Sequence, residues 1–132
     1  MSGPRTPLGR VRGLGAAKSG VGHFIGQRVS ACALVFLVLW AVYSGLRLSG
    51  SGYSYYDTVA WLRWGPNTVL TVLLIGAGFF HMSLGLRTVI EDYFDNTQVR
   101  IALLILNQFV CWLGGVIGVV AVLKVAFSGG AF

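Results

Sequence analysis

Acidic residues are scarce in this 132-residue chain: Asp57, Glu91, Asp92 and Asp95 are the only four. Charged residues make up 11% of the total, which excludes an ordinary soluble globule, where about a quarter of residues carry charge. Cysteine is also sparse. Cys32 and Cys111 both lie in apolar stretches and form no C-x-x-C pair, so zinc and iron–sulfur spacings are missing. They read as small apolar packing residues. Alternating strand patterns are absent, and so is any internal or inverted repeat, which argues against a transporter. The four acids also fall outside the central parts of the apolar runs, where a proton-coupled transporter would want a carboxylate.

What is present is apolar. Hydrophobic residues reach 55% and the mean hydropathy is +0.75. Three stretches account for the excess: Val29–Leu48, Val69–Ile90 and Ile101–Phe127. Each supplies the ~20 residues needed to cross ~30 Å of hydrocarbon. In lipid the backbone must satisfy its own hydrogen bonds, so these spans are predicted to be helices. The expected fold is an all-α membrane protein with three transmembrane helices. Residues 1–28 form a basic N-terminal segment, 29–127 the three-helix anchor domain and 128–132 a short tail.

The formal charge of +6 is unevenly placed. Arg5, Arg10, Arg12, Lys18 and Arg28 precede the first span with no acid among them. The positive-inside rule puts this segment in the cytoplasm and the C-terminus in the periplasm of a bacterial inner membrane. Five dispersed charges beside a span point to lipid or a protein partner rather than nucleic acid. The first span follows a long polar lead and exceeds the ~7–15 residues of a signal core, so it is expected to be retained.

Local signals divide the chain further. Met1–Gly22 reads as irregular, and His23–Arg28 as a lead-in to the first helix. Tyr53, Tyr55, Tyr56, Trp61 and Trp64 are headgroup-level aromatics, with a short interfacial helix over Tyr55–Trp64. Pro66 suits the first turn of the second span, and Asp95 or Asn96 the N-cap of the third. Gly114 and Gly118 form a G-x-x-x-G that allows close helix packing.

His81 is the one ionisable group well inside a span; Arg87 and Lys124 lie nearer the ends and can snorkel. Its roles are haem ligand, proton relay or interhelical hydrogen bond. Gly78 and Gly85 flank it at helical spacing, consistent either with clearance for a flat macrocycle or with packing against a helix. Asp92 and Tyr93 follow at the end of the same span. On a helix, eleven residues bring Asp92 within roughly 20° of the His81 face, about 16 Å along the axis. A carboxylate and a phenol at that boundary suit protonation of a quinone, or are simply solvated. Arg28, at the same membrane level, could neutralise a propionate, pair with an acid or anchor the helix end. One histidine gives one axial ligand, so a six-coordinate haem would need a second from another chain.

The run His81-Met82-Ser83-Leu84-Gly85 through Asp92-Tyr93 resembles the H-x3-G-x6-D-Y signature of the hydrophobic membrane-anchor subunits of succinate dehydrogenase, the smaller cytochrome b anchors of respiratory complex II. The blocks Thr6-Pro7-Leu8-Gly9-Arg10-Val11-Arg12-Gly13-Leu14-Gly15 and His23-Phe24-Ile25-Gly26-Gln27-Arg28 resemble alphaproteobacterial members. The resemblance implies a three-helix anchor that packs with a second cytochrome b anchor and shares one haem b. It implies His81 as an axial ligand of the haem iron, with Arg28 and His23 contacting haem propionates and Gly78 and Gly85 giving clearance. It further implies Tyr93 and Asp92 at a ubiquinone site. Flavoprotein and iron–sulfur subunits would be partners that carry succinate oxidation, since nothing in this chain resembles either. The alternatives are an anchor of a fumarate reductase, which oxidises quinol, and a structural membrane adaptor without redox function.

Overall fold

The computed structural model describes residues 6–8, 20–50, 52 and 54–128. Four helices make up the body of this region: α1 (Gly20–Ser49), α2 (Tyr55–Arg63), α3 (Gly65–Tyr93) and α4 (Thr97–Phe127). The three long ones have 30, 29 and 31 residues. At about 1.5 Å per residue each exceeds the ~30 Å hydrocarbon layer. The three predicted spans lie inside them.

α1 begins earlier than its apolar run. Gly20–Gly22, expected to be irregular, and His23–Arg28, expected as a lead-in, are all helical. An α-helix extended past the apolar run keeps its backbone groups paired where water is scarce. Pro7 and Leu8, also expected to be irregular, are helical, and the rest of the N-terminal expectations fall at 1–5 and 9–19, outside the described residues, as do Tyr53 and the tail from 129.

Each junction has a local cause. Gly52 adopts a φ of 72° after α1, and its N–H donates to the Ser49 carbonyl at 3.0 Å. That left-handed backbone favours glycine. α2 ends one residue before the predicted Trp64, which becomes the hinge to α3. The last carbonyls of α2 lack helical donors. Asn67 Nδ2 donates to the Trp61 carbonyl at 2.9 Å, and the Thr68 hydroxyl donates to that of Leu62. Both side chains are buried, so a polar tie binds α2 onto the start of α3. Pro66 occupies the first turn of α3, as predicted. Asn96, one of the two expected caps, accepts from the backbone N–H of Gln98 and Val99 at 3.0 and 3.2 Å.

α3 is the central helix, with α1 on one flank and α4 on another. The G-x-x-x-G notch of α4 is filled by side chains of α3. A Cβ added at Gly114 would meet the Phe79 ring at 2.5 Å, and one at Gly118 would meet Ile75 Cγ2 at 3.0 Å. A polar tie adds to this seam: Asn107 Nδ2 donates to the Ser83 carbonyl at 3.0 Å, and Cys111 Sγ donates to Asn107 Oδ1 at 3.3 Å. On the opposite side, Gly26 of α1 admits Leu84 and Phe80.

The distribution of apolar surface is inverted relative to a soluble fold. Cys111 is the one buried apolar residue among those described, whereas Phe36, Phe109 and Trp112 stand largely exposed. Such a surface requires lipid or a partner around it. Cys32 is exposed too, whereas Cys111 is buried.

Candidate functional site

The antiparallel pairing of α1 and α3 brings His81 to the N-terminal third of α1. His81 Nδ1 lies 2.9 Å from the hydroxyl oxygen of Ser30. That hydroxyl also reaches the Gln27 carbonyl one turn earlier, at 3.1 Å. Ser30 is 6% exposed, which shields the contact from solvent and lipid. The ring nitrogen Nε2 is left without a protein partner among the described residues.

His81 shares a small cavity of about 180 Å³ with Gln27, Arg28 and Ala31. The Arg28 guanidinium lies 5.2 Å from the centre of the Phe24 ring, a cation–π distance, and pairs with no carboxylate among the described residues. Of the three roles open to Arg28, pairing with an acid of this chain is thus not the one adopted. His23, about two turns before Ser30 on α1, has its Nε2 buried and without a hydrogen-bond partner. A buried polar atom with no partner is costly.

Helical geometry arranges the rest. Viewed down α3 from His81, α1 contacts the side of Phe80 and Leu84, about 60–100° one way. Gly78 and Gly85 lie about 40–60° the other way. A Cβ added at either would meet nothing within 4 Å. Among the described residues, the glycine flank of His81 is therefore open. Among the described residues no helix packs on these glycines, so of the two sequence explanations, packing against a helix would need one from elsewhere.

α3 stays helical to Tyr93, so Asp92 keeps the register expected of it, near the His81 face at the α1 N-terminal end of the bundle. Asp92 and Tyr93 are both exposed. The neighbouring Glu91 is not simply solvated: it accepts from Arg87 Nε at 2.8 Å. At the other end of the bundle a larger cavity, about 550 Å³, lies between α1 and α2. Its walls include Trp40 and Trp61, stacked with centroids 5.6 Å apart.

Sequence reasoning missed Ser30, Gln27 and Asn107. Each is a polar side chain within an apolar helix, where an unpaired polar group is costly, so the rule that singled out His81 would have found them.

Three lipid-length helices, with the central one carrying a histidine beside an open flank, define a multi-pass membrane subunit of the kind found in the bacterial inner membrane. The chain belongs to the succinate dehydrogenase/fumarate reductase transmembrane subunit family, whose profile matches residues 2–117. It is similar to the succinate dehydrogenase hydrophobic membrane anchor subunit of Rickettsia conorii, 31% identical over 103 residues, covering 77% of this chain and 80% of the relative. The protein of the same name from Rickettsia bellii is 30% identical over 102 residues, covering 76% and 79%. That of Rickettsia prowazekii is 30% identical over 107 residues, covering 80% and 83%. No solved structure matches the chain.

Proposed function

We propose that the chain is the hydrophobic membrane anchor of a succinate:quinone oxidoreductase, sharing a b-type haem with a second anchor and forming part of a ubiquinone-reduction site. The carrying observation is His81 itself. It is held from α1 at Nδ1, lines a cavity with Arg28, and stands beside a glycine flank that is open among the described residues.

The residues fit a haem. His81 Nε2 would hold the iron, and the open space at Gly78 and Gly85 would leave room for a flat macrocycle. Arg28, which lines the same cavity, would meet a propionate; His23, whose Nε2 is buried outside that lining, would have to turn to reach one. When bound, the haem would supply a one-electron redox centre. A cavity of about 180 Å³ encloses only a fraction of such a group, so the site is completed by the second cytochrome b anchor and its own ligand.

By the positive-inside rule the basic segment before α1 is cytoplasmic. Asp92 and Tyr93 then meet the cytoplasmic side, where the iron–sulfur subunit docks with the flavoprotein behind it. Reduction of a quinone to quinol takes two electrons and two protons. Electrons arrive from the iron–sulfur subunit. The Tyr93 hydroxyl donates a hydrogen bond to a quinone carbonyl, and the Asp92 carboxylate relays protons from the cytoplasm. The chain performs no chemistry alone. The names of its relatives favour succinate oxidation over fumarate reduction.

Tyr93→Phe in the purified complex tests the quinone role. Succinate–quinone turnover is expected to fall about 100-fold, the lower end of the range for losing one positioned proton-transfer group. Succinate oxidation with an artificial acceptor is expected to persist. Equal loss of both activities would assign Tyr93 to assembly instead.

A further inference from the structure

We propose that Ser30 is a positioning residue that fixes the tautomer of His81 and tunes the electron-donating strength of its Nε2 toward iron. This rests on the haem reading above.

The Ser30 hydroxyl carries one proton and makes two contacts. The Gln27 carbonyl can only accept, so the Ser30 proton goes there. The remaining contact, to His81 Nδ1, is then a hydrogen bond only if Nδ1 carries a proton and donates it to Ser30 Oγ. A neutral imidazole has one N–H and one lone pair, and this arrangement leaves the lone pair on Nε2. Bonding back to a carbonyl one turn earlier is a common serine habit in helices, and it fixes the hydroxyl rotamer. At 6% exposure Ser30 has no solvent to exchange partners with. The ring of His81 is thus oriented, and set in its ligating tautomer, by α1 before any iron is present.

An acceptor on the second ring nitrogen raises the basicity of the ligating one. Greater basicity favours the ferric over the ferrous state. Ser30 therefore lowers the haem midpoint potential, and its own donation to the Gln27 carbonyl strengthens the hydroxyl oxygen as an acceptor.

Equilibrium redox titration of the haem band in the purified complex tests this, with haem per complex measured alongside. Ser30→Ala is expected to keep its haem while the midpoint moves positive. Ser30→Thr, which retains a hydroxyl, is expected to titrate with the wild type, and Ser30→Cys, a weaker acceptor of similar shape, to shift positive. If Ser30→Ala assembles too poorly to titrate, Ser30→Cys decides. An unshifted midpoint in Ser30→Ala or Ser30→Cys overturns the proposal, as does a Thr variant that shifts as far as Ala. His81→Ala run in parallel separates the two levels: haem retained there with an unchanged spectrum defeats the haem reading itself, whatever Ser30 does.

Discussion

On the flank of α3 that faces α4, Phe79 and Ile75 fill the notches at Gly114 and Gly118, and Asn107 ties the two backbones. On the flank beside His81, a Cβ added at Gly78 or Gly85 would meet no described residue beyond its own stretch of helix within 4 Å. Both sets are glycines in apolar helices, yet one is filled by a neighbouring helix and the other is open among the described residues. The difference separates the part of α3 that packs within the subunit from the part that the proposed function assigns to a partner and its cofactor. His81 lies between α1 and the open side, with Asp92 near the same face at the helix end.

Substitutions on the two flanks should therefore fail differently. The largest effect is expected from Gly85→Leu: haem per complex falls several-fold, while the isolated anchor keeps its helicity by circular dichroism. Helicity lost with the haem would merge the two flanks and break the distinction. Gly114→Ala probes the other side. Its Cβ would sit 2.5 Å from the Phe79 ring, an overpacking of the kind that costs about 1–3 kcal/mol. The thermal midpoint of the complex should drop, with haem per surviving complex unchanged. Asn107→Leu sharpens the same seam more gently. Hydrogen bonds between membrane helices are worth about 0.6 kcal/mol on average, so a small fall in midpoint is expected, and none at all would demote the tie to a packing contact. Arg87→Gln is the smallest: its exposed pair with Glu91 should contribute about 0.3–0.5 kcal/mol, below what a melting curve of the complex distinguishes.

Much of this arrangement was legible in the sequence because the bilayer leaves few choices. Long apolar runs had to be helices, Pro66 and Asn96 had to sit at helix starts, and a histidine inside lipid had to have a purpose. The H-x3-G-x6-D-Y spacing carried its own geometry, since α3 runs unbroken from His81 to Tyr93. Other features depend on how helices turn toward one another, which periodicity in an almost uniformly apolar helix does not encode. That is why Ser30 was not matched to His81. The same gap hid which glycines face a neighbour, and the outward position of Cys32. The extension of α1 back to Gly20 was missed for a different reason: polar and glycine-rich residues signal loops, but at a membrane boundary the helix still satisfies the backbone best.

If the open flank of α3 is half of a haem site, a second anchor subunit must complete it. The most direct measurement is the dithionite-reduced minus oxidised visible spectrum of the detergent-purified complex, wild type against His81→Ala, with subunit composition determined on the same samples. A b-type band is expected in a complex containing a second anchor with the iron–sulfur and flavoprotein subunits, and its loss or alteration in His81→Ala. A colourless homo-oligomer of this chain, or an unchanged band and haem stoichiometry in His81→Ala, would contradict it.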